Sequence, residues 1–416
     1  MSTGLVWFRN DLRIEDNLTL SNACKSHENV IGIYFFDPRH YEETKYGFPK
    51  TGKFRANFLI ETIENLRKNL SNLNITLLVF HARPEDKIPE ISQEFSISGL
   101  YFQKEWTAEE KKVENSIRNI LPEVKFHCFY QQFLYHPEDI PYSDFSEIPK
   151  VFTEFRKKCE KNSEIRSLTP PPSKRPKNNL IQKQTLIPTL NDLGLDNLVP
   201  DTRSAFPFKG GEDEAKNRIQ EYFWNNRDLE KYKETRNGLI GKDYSSKLSA
   251  WLANGSISPR QIYYQVKKYE KEIKSNQSTY WLIFELIWRD FFKYISLKHG
   301  NKIFQLKGIL ENDLELNRNQ EKFEEWIQGK TKEDFVNANM KEIAATGFMS
   351  NRGRQNVNSF WAKELKQDWR MGARYFESLL IDYDVHSNWG NWMYNSGVGN
   401  DPRDRKFNIK SQADRY

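Results

Sequence analysis

Three cysteines in 416 residues, Cys24, Cys128 and Cys159, lie far apart and form no CxxC pair. They are too few for a four-cysteine zinc or iron–sulfur site and do not read as a disulfide framework. Ordinary thiols in a reducing compartment are the expectation. The seven histidines form no cluster with metal-ligand spacing, so no metal centre is expected. No stretch approaches eighteen apolar residues, so no membrane-spanning helix is expected either. Walker A, HExxH and GxSxG motifs are all missing, and with them the common nucleotide-hydrolysing, zinc-protease and serine-hydrolase chemistries. The first apolar run begins at residue 4. That leaves no space for a signal or transit peptide and makes cytoplasmic residence the expectation.

What is present is a charged, aromatic-rich chain. Charged residues make up 29% and hydrophobic ones 38%, a balance typical of soluble proteins. The length predicts two domains. A net charge of +6 permits a polyanion partner without requiring one. Nine of the eleven tryptophans lie beyond residue 200, which points to a large aromatic core, a stacked ligand, or both in the second half.

Apolar runs at residues 5–8, 30–36, 75–80, 100–102 and 124–129 alternate with helical patterning such as the stripe Phe54, Phe58, Leu59, Ile63, Leu66, Leu70. Continuous apolar strands separated by helices predict a doubly wound α/β domain with a parallel sheet over residues 1–135. Its ligand crevice is expected at the C-terminal ends of the strands. The first strand runs into Arg9-Asn-Asp-Leu-Arg13 rather than GxGxxG, so it makes a poor dinucleotide site. Residues 136–211 read as an interdomain segment. Its Thr169-Pro-Pro-Pro-Ser-Lys-Arg-Pro-Lys177 run predicts a stiff, solvated linker, with phosphate contact as the alternative. From 212 to 416 the pattern is all-α, with helices expected over 212–224, 258–269, 280–298, 320–326, 332–343, 356–365 and 374–381.

Four segments of the second domain carry chemistry. A loop with two glycines leads into Ser245-Ser246-Lys247-Leu248-Ser249. Hydroxyls and a Lys opening a helix suit a phosphate, and plain N-capping by Ser245 or Ser246 is the alternative. On a helix, Glu285, Trp288 and Arg289 share one face, which suits a flat base or a salt-bridged core edge. Asn351, Arg352, Arg354 and Gln355 follow in one short run. The run Asp382-Tyr-Asp384-Val-His-Ser-Asn388-Trp-Gly-Asn-Trp392-Met-Tyr394 combines carboxylates, amides and large aromatics, the parts of a buried ring site. An Asp–Arg pair there either serves that site or only fixes packing.

The chain resembles the photolyase/cryptochrome family, in the wording of its DASH-type branch. The resemblance rests on Trp7-Phe-Arg-Asn-Asp-Leu-Arg-Ile-Glu-Asp-Asn17, Phe208-Lys-Gly-Gly-Glu212, Tyr232-Lys-Glu-Thr-Arg-Asn-Gly-Leu, Glu285-Leu-Ile-Trp-Arg-Asp-Phe-Phe292 and Thr346-Gly-Phe-Met-Ser-Asn-Arg-Gly-Arg-Gln-Asn-Val357. It implies a U-shaped FAD in the helical domain and repair of cyclobutane pyrimidine dimers by blue-light-driven electron transfer from reduced FAD. By resemblance, Ser245, Ser246, Lys247, Leu248 and Ser249 hold the FAD phosphates and Tyr232 lies beside the cofactor. Arg289 belongs to the same cofactor set. Arg354 pairs with Asp382, Asp384 meets the isoalloxazine, and Asn388 faces its protonated nitrogen. Glu285, Trp288, Asn351, Arg352, Gln355 and Tyr394 are implied to line the pocket for a flipped-out dimer, with Glu285 and Asn388 as the catalytic groups. Trp392 and Trp369 match the first two tryptophans of the family's photoreduction path.

The DASH branch implies single-stranded DNA as the main partner of a monomeric protein, with double-stranded DNA or RNA bound more weakly. Tyr394 and Gln355 stand where double-strand repair enzymes carry Trp and Met. The alternative reading is a blue-light photoreceptor that binds nucleic acid with little repair. The chain's end, about a dozen residues after its last motif, favours the enzyme. Two departures stand out. Leu316 occupies the place of the third tryptophan, which predicts slow, short-lived or rerouted photoreduction. A 5,10-methenyltetrahydrofolate antenna is implied between the domains, with Glu105 as its pterin contact, yet Trp106 stands where a small aliphatic residue is usual and crowds that place.

Overall fold

The computed structural model describes every residue except Met1, Asp313, Leu316, Arg405, Arg415 and Tyr416. Five parallel strands, β1 (Thr3–Trp7), β2 (Asn29–Phe36), β3 (Thr76–His81), β4 (Ile97–Gln103) and β5 (Lys125–Phe129), form one sheet in the order β3-β2-β1-β4-β5. Side-chain alternation splits each strand between two buried faces. Val6, Phe8, Val30, Tyr34 and Phe36 enter one core. Leu5, Trp7, Ile31, Ile33 and Phe35 enter the other. Helices α1 (Leu18–Ser26) and α2 (Lys53–Asn72) supply the first core, and α3 (Pro84–Glu94) and α4 (Ala108–Ile120) the second. The expected α/β domain is therefore present. Its strand order reverses at β1, between β2 and β4, so the crevice lies where Arg9, Asn10, Gln103 and Glu105 meet.

The proline-rich run Thr169–Lys177 is irregular and largely exposed, as expected, but it and the residues after it are docked rather than free. Arg175 donates to the carbonyls of Cys24 and His27, at 2.9 and 2.5 Å. Asn179 is buried and bonds both to Val30 and to the carbonyl of Asn74. Thr185 Oγ1 accepts from Val79 N at 2.8 Å. Through Ile181 and Thr185 the segment covers part of β3, one of the two edge strands. Arg175, a candidate phosphate contact in the sequence, is committed to these carbonyls.

The rest is helical: α5 (Phe152–Asn162), α6 (Glu212–Ile219), α7 (Tyr232–Thr235), α8 (Ser249–Asn254), α9 (Pro259–Glu272), α10 (Gln277–His299), α11 (Gln320–Ile327), α12 (Asp334–Thr346), α13 (Asn351–Ser359), α14 (Trp369–Leu379), α15 (Val385–Ser396) and α16 (Ile409–Ala413). Two expected helices end in wide π turns, at Gln220–Asn225 and Phe360–Glu364. The helix expected to begin at 356 begins at Asn351, because Ser350 caps it by accepting from Gly353 N at 2.9 Å. Its first turns are polar and show no apolar period because they face a cavity. The two domains are bolted together by buried ion pairs and amides. Asp16 pairs with Arg260 at 2.6 Å, Arg13 donates to Gly255 O at 2.8 Å, and Asp290 accepts from Leu134 N and Tyr135 N.

Candidate functional site

Helix α10 starts from a capping box at Asn276 and Thr279 and runs for more than six turns, which fixes the side chains along one face. Glu285, Trp288, Arg289 and Phe292 on this face meet Asn351, Arg352, Arg354 and Gln355 from α13 around a cavity of about 470 Å³. Tyr232, Ser245, Ser246, Lys247, Leu248, Ser249, Asp382 and Tyr394 complete the wall. Segments spread over more than 160 residues of sequence thus converge on one space of a size suited to a large organic ligand. Five lining residues are basic (Arg236, Lys247, Arg289, Arg352, Arg354) against two carboxylates, Glu285 and Asp382, so the cavity favours an anionic occupant.

At one end sits the Ser245–Ser249 segment. The helix it leads into begins at Ser249 with Leu248 at its cap position and no side-chain capping bond. N-capping by Ser245 or Ser246 is therefore set aside: their carbonyls, not their hydroxyls, are engaged, by Arg218. Lys247 adopts φ +60 and is buried. Its ammonium rests 3.2 Å from the centroid of Tyr244 and has no hydrogen-bond partner. Burial pushes it down to about 7. Glu342 and Asp382 oppose that shift without reaching the ammonium by a hydrogen bond; a buried donor left unpaired is costly, and a phosphate is a group that would relieve it. On this observation the wall fits FAD.

At the middle of the cavity Arg354 Nη2 reaches both oxygens of Asp382 at 2.9 Å, and its Nε donates to Met349 O. Asp384 turns elsewhere. It caps α15 through Ser387 N at 2.8 Å and pairs with the buried Lys293 at 2.7 Å, with Arg289 at 3.7 Å. Burial alone would raise this carboxyl, but the Lys293 ammonium and the Arg289 guanidinium outweigh it and hold it well below the usual carboxylate range. Asn388 donates to Ala373 O at 3.0 Å. Neither Asp384 nor Asn388 is part of the cavity wall; they stand in the layer behind it. Arg289 spans the two layers, donating to Gln132 O and Leu252 O.

At the other end Trp288 stacks on Phe152 at 3.7 Å and meets Tyr394 edge-on at 5.9 Å. Glu285 is ion-paired with Arg236 at 2.6 Å. Burial raises its carboxyl above the ordinary range, with Arg236 opposing. Arg352 bridges Gln355 Oε1 and Asn237 Oδ1, both at 3.1 Å.

Trp392 and Trp369 lie buried on α15 and α14, outside the wall. The bare Cα of Gly372 makes room for the Trp392 indole; a Cβ there would come within 2.1 Å of it. The ring neighbours of Trp392 are Phe376 at 5.2 Å and Trp326 at 6.2 Å, whereas Trp369 meets Trp389 at 5.7 Å. Leu316 lies outside the described residues. Glu105 is not part of the cavity wall: one of its oxygens accepts from Gln103 Nε2 at 2.8 Å and Asn10 Nδ2 at 3.3 Å.

Sequence reasoning assigned no role to Arg236, Lys293 or Trp326. Lys293 follows Glu285 and Arg289 at steps of four along α10, a signal that was readable. Arg236 lies in the Tyr232 motif, but nothing in the sequence aims it at Glu285.

Comparison with known proteins extends these findings. Residues 4–177 match the family model for DNA photolyase, and residues 281–416 match that for the FAD binding domain of DNA photolyase. The chain is 48% identical to a cryptochrome DASH of Danio rerio, over 99% of its own length and 80% of the relative's. It is likewise 48% identical to a cryptochrome DASH of Gloeobacter violaceus, over 100% and 83%. The crystal structure of a Synechocystis sp. PCC6803 cryptochrome superimposes with a TM-score of 0.95 at 46% identity, covering 100% of this chain and 86% of that one.

Proposed function

The chain belongs to the photolyase/cryptochrome family, with cryptochromes of the DASH type among its relatives, and from that premise we propose that it repairs cyclobutane pyrimidine dimers in single-stranded DNA under blue light. The observation that carries this reading is the continuity of the wall. The phosphate end at Ser245–Ser249, the Arg354–Asp382 pair and the Glu285–Trp288 end all border one cavity. A cofactor held at the first two therefore lies against whatever enters at the third.

Bound there in its reduced form, FAD supplies an electron on excitation by blue light. The protein's own residues do the rest. Lys247 neutralises phosphate charge, and Arg354, locked by Asp382 and Met349 O, presents a fixed cation beside the ring site. Asp384 and Lys293 fix the start of α15 and with it Asn388. Trp288, held flat by Phe152, offers a face on which an unstacked base can rest. Glu285 offers a carboxyl to the base edges; it can donate a hydrogen bond only when protonated. Arg352, with Gln355, brings a cation to the rim, where a backbone phosphate passes.

Tyr394 supports the preference for single strands. Its phenol presents less stacking area than an indole, and an enzyme with a weaker grip relies on a base that is already unstacked. The test is repair of a thymine-dimer oligonucleotide by chemically reduced protein under blue light, in single- and double-stranded form, with a dark control. Light-dependent repair of the single strand is the expected result. Binding without repair would replace this reading with that of a light receptor.

A further inference from the structure

The family resemblance calls for a pterin antenna between the domains, and the structure disagrees at that place. Trp106 follows directly on the crevice residue Glu105 and is buried, 6% exposed. Its indole lies near-parallel to His386 at 4.4 Å and 13°, and to Phe133 at 5.7 Å and 20°. Tyr130 closes the edge at 5.9 Å. His386 and Phe133 are themselves buried, and they come from opposite sides of the domain boundary.

Hydrogen bonds lock the stack. Trp106 Nε1 lies 2.7 Å from Ser296 Oγ, Ser296 Oγ lies 2.7 Å from Lys293 O, and His386 Nδ1 lies 2.8 Å from the same oxygen. A serine has one hydroxyl proton. All three contacts are hydrogen bonds only if that proton goes to Lys293 O and both rings donate to Ser296. His386 is thereby fixed as the Nδ1–H tautomer. Burial, reinforced by the Lys293 ammonium, keeps the imidazole well below its ordinary range and so neutral. One oxygen thus ties the N-terminal domain's indole to the same helix turn that holds Lys293 and, through it, Asp384.

The recognition group is half engaged as well. A pterin offers ring N–H groups to a carboxylate, but one oxygen of Glu105 already takes the amides of Gln103 and Asn10. An indole and a pterin are both flat two-ring systems, and close-packed interiors do not hold two such rings in the space of one.

We infer that Trp106, stacked on His386 and held by Ser296, fills the place between the domains that a folate antenna would take, so that this chain binds no methenyltetrahydrofolate there. This goes beyond the repair reading and stands apart from it, because bound pterin is read without any repair assay.

The test uses the FAD-bound full chain. Wild type, Trp106→Phe, Trp106→Leu and the Trp106→Leu/His386→Ala pair are equilibrated with excess methenyltetrahydrofolate and desalted. Retained folate is then measured per flavin by absorbance and after denaturation. Wild type and Trp106→Phe should retain none. The double variant should gain at least tenfold in affinity and approach one equivalent; if it does not fold, Trp106→Leu carries the same expectation. Stoichiometric folate on the wild type would overturn the inference. So would a folded, flavin-loaded cavity variant that still takes none, because the stack would then not be what closes the site.

Discussion

The guanidinium of Arg236 lies 2.6 Å from the carboxylate of Glu285 at the rim of the cavity, and the two residues set opposing conditions for that carboxyl. Burial raises its pKa, and Arg236 pulls it back. Any group that enters and excludes the remaining water strengthens the first effect.

Lesion binding is therefore expected to depend on pH. A raised carboxyl becomes protonated as pH falls, and only the protonated form donates. Wild-type affinity for a dimer-containing single strand should be higher at pH 5.5 than at pH 8.5. Glu285→Gln, a permanent donor, should be flat over that range. Glu285→Ala should lose about threefold to tenfold at the acid end, from the roughly 0.5–1.5 kcal/mol of a hydrogen bond between neutral groups. Fluorescence anisotropy of a labelled oligonucleotide reads all three, and a flat wild-type profile would sink the argument.

Lys247 gives the cofactor site its own titration. In the cofactor-free chain its ammonium is pushed down to about 7; a bound phosphate would raise it again. Binding FAD then takes up a proton above pH 7, and affinity should fall with rising pH, approaching tenfold per unit. Calorimetry in buffers of different ionisation enthalpy should show uptake approaching one proton at pH 8. Lys247→Met should bind FAD more weakly and without that uptake.

The Lys293–Asp384 pair predicts a stability cycle. Lys293→Met leaves the buried Asp384 carboxylate with only the longer Arg289 contact at 3.7 Å and should cost about 3 kcal/mol in urea unfolding, the lower end for a broken buried pair. Asp384→Asn keeps an oxygen for Ser387 N, so Lys293→Met/Asp384→Asn should recover most of that loss. The depressed Asp384 pKa fixes the sign with pH: its contribution is complete above the unfolded value near 3.8 and fades only as pH falls well below it. The wild type should thus retain the term at pH 5.

These pairings also mark how far the sequence could be read. The strands were legible because a sheet buried on both faces writes itself as continuous apolar runs. The cavity wall was legible because Glu285, Trp288 and the Arg354 and Asp382 runs are chemically unusual. The docked segment at Arg175 and Asn179 was not, because its bonds are to backbone carbonyls and N–H groups, which no side-chain pattern announces. Helix α13 hid its start for a related reason: residues that face a polar cavity carry no apolar period. Whether Trp106 crowds the interdomain space could be suspected from its size, but the stack with His386 joins residues 280 positions apart and needed the fold.

The last relationship concerns Gly372 and Trp392. Because a Cβ at residue 372 would reach within 2.1 Å of the indole, Gly372→Ala must push the ring aside, at a cost of about 1–3 kcal/mol for overpacking. Trp392 is also the indole that resemblance places first on the photoreduction path, and the indole in contact with it is Trp326, itself stacked on Trp361 at 4.9 Å. With Leu316 placed by resemblance at the position of the usual third tryptophan, a route through Trp326 predicts a distinct pattern among variants. Trp392→Phe should abolish the light-driven accumulation of reduced FAD with an external donor present. Trp326→Phe and Gly372→Ala should each lower its yield severalfold. Chemically reduced Trp392→Phe should still repair, because the path only delivers electrons to the cofactor. Bleaching of the oxidised flavin band under blue light measures the first three. An unchanged yield in Trp326→Phe, with a loss in Trp369→Phe, would place the route along Trp369 and Trp389 instead.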